Sequence, residues 1–432
     1  MSGITMKQRR GIWLFIVFLV KSLIATNICA DEYRTPRAGE EFHTQLFGEP
    51  VSVPGRDRRS VTAVSFGALW TPYGTSGYEF IPVGSFYVWR NLEDGRKRFR
   101  GEITGVYNDI RFNLAPEGWN GVEGVFTFNN FIIPFDRTES VEGMRQSALD
   151  LRWYWFRAGI GLGYRTAISP GNQDNAFEFS LTYEPGFLWF DRARHTSPNF
   201  ILPQDTYEGQ VHIRTRADGL ERNLLELPHQ GYATGFDLIY GHRANWETWS
   251  DPVFGQFQGK DYSDWFAASG HLVVAGGLPF VDSERHRLIG SFYGGFGSRL
   301  DRFSAFRLPG RPTGWEQDVI AKPVLPGANF LEFFPRSYAV FDMVYRYEAL
   351  FFAYPYLRGT WAFIDRPRFR ANGTAGNRMD ALSSLGGGFV SGAPWNSQVE
   401  FEYTYSFGIL RDKGGRPGYG GHGLFVLWSK EF

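Results

Sequence analysis

The stretch Gln398-Val399-Glu400-Phe401-Glu402-Tyr403-Thr404-Tyr405-Ser406-Phe407-Gly408-Ile409 alternates at every step. Val399, Phe401, Tyr403, Tyr405, Phe407 and Ile409 fall on one phase, and Gln398, Glu400, Glu402, Thr404, Ser406 and Gly408 on the other. Successive side chains of an extended strand point to opposite faces, so this segment has one apolar and one polar face. Which face is wet decides the fold. A soluble sandwich turns its apolar faces inward. A transmembrane barrel inverts the arrangement, with apolar groups toward lipid, polar groups toward a lumen, and aromatic girdles at both interfaces.

The chain end settles the choice. Leu424, Val426, Trp428 and Phe432 share one face, and the chain stops on that aromatic. A terminal amphipathic strand ending in Phe is the usual insertion signal of bacterial outer-membrane barrels, carried here by Val426, Trp428 and Phe432. Lys430 is the one departure from it. Composition agrees. Of 432 residues, 18% are aromatic, with 41 Phe, 21 Tyr and 14 Trp, and 52 are glycine. Mean hydropathy is only −0.29, which excludes a bundle of transmembrane helices. The 45 Lys and Arg balance 45 Asp and Glu, which argues against a nucleic-acid partner.

The N-terminus reads as a secretory signal peptide over residues 1–30. Lys7, Arg9 and Arg10 precede the apolar run Gly11 to Val20, and Ala30 offers a small residue at the cleavage site. Lys21 interrupts the run too early for a membrane anchor. Cleavage would remove Cys29, the single cysteine. Residues 31–59 read as a short polar periplasmic segment, and residues 60–432 as the barrel. Strand starts are predicted near Ser60, Tyr78, Lys97, Gly121, Arg145, Ala158, Ala176, Tyr207, Gly231, Tyr262, His286, Arg336, Phe352, Asp380, Asn396 and Gly421. That gives about sixteen strands, an even number as single-chain bacterial barrels require. Asp109 to Leu114 is a candidate for a separate short strand. The connection from Arg299 to Pro335 is conspicuously long, and long loops are commonly functional.

Five ordered segments resemble the barrel of the BamA, TamA and two-partner-secretion transporter superfamily. They are Arg222-Asn223 through Pro228, Gly231 and Tyr232; Arg287 to Gly297; Arg302-Phe303 through Leu308-Pro309-Gly310; Tyr345-Arg346-Tyr347 with Trp361 to Asp365; and Ser384 to Phe389 followed by Val399 to Tyr405 and the Phe432 end. The resemblance covers residues 206–432 best. It implies an outer-membrane barrel with a lumen-inserted sixth loop and a non-enzymatic role in protein assembly or in translocation of a protein or lipid. It further implies that an arginine in that loop meets an aspartate of strand thirteen. Here Thr313-Gly314-Trp315 stands in the place of the family's Arg-Gly-aromatic, Arg311 lies two residues before Thr313, and Pro367 replaces a glycine after Phe363 and Asp365. The expectation is a loop lock of Arg311, Gly314 and Trp315 with Phe363 and Asp365, the last two aimed inward. Residues 31–59 are too short for the family's periplasmic POTRA modules, so either a periplasmic partner protein takes their role or the barrel does something else. Outer-membrane lipid and lipopolysaccharide are the other expected partners.

Two further functions compete. A diffusion porin would use the long loop as a constriction. A lipid hydrolase would need Ser197 of His195-Thr196-Ser197-Pro198-Asn199 to meet a base, and an ordinary loop is the better reading of that segment. The eight histidines are scattered, so neither a metal nor a cofactor is expected. Arg366-Pro367-Arg368-Phe369-Arg370 reads as a solvated or lipopolysaccharide-facing basic patch.

Overall fold

A computed structural model describes residues 41–432 apart from 47, 56–58, 75–76, 133–135, 170–173, 223–227, 309–319 and 394–396. Sixteen antiparallel staves close into one barrel. In chain order they are β1 Ser60–Gly74, β2 Gly77–Leu92, β3 Lys97–Ile103, β4 Tyr107–Leu114, β5 Val122–Ile132, β6 Met144–Ala167, β7 Ala176–Arg192 and β8 Thr206–Asp218. The second half comprises β9 Gly231–Arg243, β10 Asp264–Gly277, β11 His286–Ser298, β12 Ser337–Tyr347, β13 Ala353–Phe369, β14 Ala375–Ala393, β15 Ser397–Asp412 and β16 Pro417–Glu431. Each pairs with its sequence neighbour, and β16 returns to β1. Closure pairs the backbone groups around the barrel, which lipid requires because it offers them no hydrogen bonds; only the upper part of the β16–β1 joint departs from this.

The expected count of sixteen holds, but two of its members change. Tyr107–Leu114 is a stave of its own, and the starts expected at Arg145 and Ala158 belong to the single strand β6. At about 3.3 Å per residue, the 24 residues of β6 run roughly 80 Å. An apolar band is only about 25 Å tall, so much of β6 stands outside the membrane, where a short strand, Arg137–Val141, pairs with it.

The faces are inverted as the alternation requires. Phe66 is 61% exposed on the outside of β1, while Ala63, Ser65 and Thr71 on the alternate phase are buried. On β15, Val399, Phe401, Tyr403 and Phe407 point out, and Gln398, Glu402, Thr404 and Ser406 point in. Ile409 breaks the expected phase and lies inside, 1% exposed. The register of β15 against β16 shifts between Ser406 and Leu410, and such a bulge turns the next residues over.

The long connections 193–205, 244–263 and 299–336 share the end opposite Ser60 and Phe432, which is the extracellular end by the usual asymmetry of these barrels. Their side chains pack into an apolar roof with the outer parts of β6 and β7. Leu149, Leu151, Phe200 and Trp249 are fully enclosed there, and Trp249 stacks on Phe257 with centroids 4.1 Å apart. The lumen below is polar and paired. Arg98 Nη2 donates to both Glu123 oxygens at 2.7 Å.

Candidate functional site: a loop across the barrel seam

β1 and β16 each have fifteen residues, yet they pair only from Leu424↔Trp70 to Glu431↔Ala63. This lower half is well made. Trp428 stacks on Phe66, and the Phe432 N–H donates to the Thr62 carbonyl at 2.9 Å. The strands also press together closely: a Cβ on Gly67 would lie 2.1 Å from the Val426 carbonyl oxygen. Above Leu424 the sequence becomes Pro417-Gly418-Tyr419-Gly420-Gly421-His422-Gly423. No register with β1 continues there among the described residues, and Gly74 of β1 bridges instead to Asp412 of β15.

The long loop enters the lumen and lies behind that gap. Its first arm is pinned by ion pairs: Asp301 with Arg243 at 2.8 Å, and Arg302 and Arg307 with Glu139 at 3.1 and 3.3 Å. Leu308 then bonds Phe333, which ties the two described arms together. Leu308, Leu325 and Phe333 pack on Tyr338, Val340, Ile364 and Leu382, inward residues of β12 to β14. The returning arm makes a tight turn at Leu325-Pro326-Gly327-Ala328, with Ala328 N–H to Leu325 O at 3.0 Å. Proline suits the second position, and Gly327 at φ +82° suits the third, which demands a left-handed backbone. Gly327 lies against the Gly421 backbone; a Cβ on it would come within 2.7 Å of the Gly421 oxygen.

From this turn the loop grips four staves. Arg411 of β15 donates to Glu332 at 2.8 and 3.0 Å and to the Gly327 carbonyl at 2.7 Å. Thr71 of β1 donates to Asn329 Oδ1. Glu79 of β2 accepts the Phe330 N–H at 2.7 Å. With Gly421 of β16, these contacts bridge β15, β16, β1 and β2 from inside. Arg411 is 1% exposed, and a two-pronged guanidinium–carboxylate pair in such a place fixes geometry as well as charge.

Glu139 is the other electrostatic centre, outside the membrane-spanning part. Burial alone would raise its carboxyl, but the guanidiniums of Arg307, Arg302 and Arg137 outweigh burial and hold it down at about 2.

Of the residues expected in the lock, only Phe363 and Asp365 are among those described. Arg311, Gly314 and Trp315 lie outside the described residues. Phe363 is 50% exposed and faces outward, opposite to expectation, because Ala362 and Ile364 take the inward phase. Asp365 shares the phase of Phe363 and accepts the backbone N–H groups of Arg336 and Ser337 at 2.6 and 3.1 Å, so it caps the start of β12. On the returning arm the wall supplies the arginine, Arg411, and the loop the carboxylate, Glu332.

Of the turn motif, Arg222 pairs with Asp218 at 3.0 Å, Asn223 lies outside the described residues, and Pro228 leads into Gly231. Gly231 has φ +105° and backs onto the Gly219 carbonyl, while Tyr232 points outward. Val426 and Phe432 also face outward, and Trp428 shares their phase. Arg366 faces inward onto Asp380 at 2.6 Å. Ser197 Oγ accepts the Asn199 N–H at 3.2 Å, while His195 lies beside Asp150 at 3.4 Å. No cluster of metal-ligating side chains occurs among the described residues.

Solved structures with a similar barrel include BamA from Haemophilus ducreyi lacking POTRA domains 1–3, at 10% identity and TM-score 0.47 over 96% of this chain and 78% of that one. Others are CdiB from Acinetobacter baumannii, at 9% identity and TM-score 0.49 over 92% and 66%, and CdiB from Escherichia coli, at 12% identity and TM-score 0.44 over 93% and 68%. No protein-family model and no curated protein matches the chain.

Proposed function

We propose that this protein is a non-enzymatic outer-membrane barrel for assembly of outer-membrane proteins or for translocation of a protein or lipid. The observation that carries the reading is the half-paired seam between β1 and β16, bridged from inside by the Gly327–Glu332 segment of the long loop. Two fifteen-residue strands that share only eight residue pairs leave their upper halves held together by the loop rather than by each other, so the seam can part there once the loop lets go. The five ordered sequence segments support the same family of functions. The roof weighs against the porin alternative, since the extracellular mouth is filled by enclosed side chains such as Trp249, Phe200 and Leu151. A periplasmic partner protein, and contact with lipopolysaccharide, belong to this proposal.

The test is depletion of the protein from its own cells, with quantitative profiling of outer-membrane proteins, exported proteins and surface lipids. The reading expects one of these classes to fall, and the purified barrel to show no steady solute-selective conductance in planar bilayers. Unchanged profiles together with a stable selective conductance would replace it with the porin.

A further inference from the structure

The connection between β5 and β6 carries a short hairpin at the extracellular mouth. Arg137–Val141 pairs with the outer part of β6, from Val141↔Met144 to Arg137↔Leu151. Its tip is the two-residue turn Glu142-Gly143, with φ +54° and +79°. Left-handed backbone at both positions matches the twist of a tight hairpin. The tip does not end in solvent. A Cβ on Gly143 would lie 2.2 Å from the Leu410 carbonyl oxygen and 2.6 Å from the Arg411 nitrogen. The hairpin therefore reaches β15, which stands nearly opposite β6 in the ring. Beside it, Glu142 pairs with Arg368 of β13 at 3.4 Å.

The same hairpin holds both described arms of the loop. Glu139 takes Arg302 and Arg307 of the first arm. Arg137 Nη2 donates to the Leu331 carbonyl of the returning arm at 3.2 Å. Leu331 adjoins Glu332, the loop's partner for Arg411, and Gly143 abuts Arg411 itself. Val141 is fully enclosed in the roof, in one cluster with Phe303 of the first arm. Glu139 is buried as well. Without its carboxylate, the guanidiniums of Arg137, Arg302 and Arg307 would face one another out of water, which is strongly unfavourable. The two arms are tied together at Leu308 and Phe333, so neither moves far while the hairpin stays down.

We propose that the 137–144 hairpin is a strap across the mouth, which must lift before the loop can leave the seam. Opening of the upper seam is thereby controlled from the extracellular side. As a device that governs the seam, the strap rests on the function proposed above, while its contacts do not depend on what the barrel carries. The tip is its weak point. It is seated by shape, since any side chain at Gly143 meets the β15 backbone, and by one ion pair to Arg368, which also pairs with Asp380.

The experiment is hydrogen exchange of the purified full-length barrel in lipid nanodiscs, read by mass spectrometry over residues 325–332. Amides there are bonded in the parent, Ala328 to Leu325 and Phe330 to Glu79. Folding of every variant is checked by the heat-modifiable shift on gels. Gly143→Val cannot seat the tip, and Glu139→Gln loosens the first arm. Each should exchange at least tenfold faster over residues 325–332, with β7 to β10 exchanging as in the parent. Lys413→Gln, on the turn between β15 and β16, is the control and should match the parent throughout. Parent-like exchange of residues 325–332 in either folded variant would overturn the strap. Equal acceleration in every stave would overturn it too, since that is a general loss of stability. The readout needs no substrate. Unchanged profiles on depletion would remove the assembly or translocation role and leave the strap, whereas parent-like exchange here would remove the strap and leave that role.

Discussion

At the scale of single residues, ion pairs that cross between the loop and the wall hold the latch in place. Arg411 and Glu332 are both buried, so removing one leaves the other charged and poorly compensated, a loss of about 3–5 kcal/mol. Glu332→Leu and Arg411→Met should each lower the unfolding midpoint of the detergent-solubilised barrel. The double variant should lose less than the sum, by about 0.5–3 kcal/mol. Strict additivity would mean that the pair does not act as a unit. Glu139 carries the second expectation. Its carboxyl is held at about 2 in the fold against 4.5 for the unperturbed group. A depressed acid contributes stability above its unfolded value and loses it as pH falls toward the folded one. Glu139 should therefore contribute roughly 3 kcal/mol at neutral pH, draining away from about pH 4.5 down to about pH 2. Tryptophan fluorescence of the roof should change over that window, and Glu139→Gln should flatten the change. Neither pair was legible in the sequence. Arg411 follows a bulge, and its partner lies 79 positions away in an irregular loop. Only Pro326-Gly327 carried a local signal, and it is a turn signal rather than a functional one.

At the scale of elements, alternation served well wherever one face meets lipid and the other a polar lumen. It failed where that condition lapses. Trp153-Tyr154-Trp155-Phe156 are four consecutive rings in the outer reach of β6, where the roof covers the inner side. Period two is lost there, and one strand reads as two. Tyr107–Leu114 is short and follows a tight turn, so its outward Ile110, Phe112 and Leu114 blend into the previous segment. Asp365 departs from the expected inward phase for a related reason: near a strand end a carboxylate on the outer phase can cap backbone N–H groups, so polarity there does not mark the lumen. The seam offers an element-level test. Gly67→Val places a branched side chain where a Cβ already meets the Val426 carbonyl at 2.1 Å. Overpacking of this kind costs about 1–3 kcal/mol. Gly290→Val, with nothing within 4 Å of its Cβ position, is the control and should unfold like the parent. Equal midpoints for the two variants would show that the seam strands are not closely apposed at Gly67.

At the scale of the whole molecule, the barrel is inverted outside and furnished inside. Its outer face is lipid-matched, its mouth is roofed, and its lumen holds a loop anchored to walls on both sides. The barrel class was readable because inversion of polarity is a global property, repeated in every stave. The latch was not, since it depends on long-range pairs that no local pattern encodes. The most direct test is a paired-cysteine scan across β1 and β16 in native membranes. Ser65 and Ser429 stand opposite each other in the paired half, whereas Pro72 and His422 would face one another only if the register continued above Leu424. The account expects Ser65→Cys with Ser429→Cys to crosslink efficiently, and Pro72→Cys with His422→Cys to crosslink poorly. Equal crosslinking of both pairs, or none at Ser65 and Ser429, would contradict a seam that is closed below and latched above.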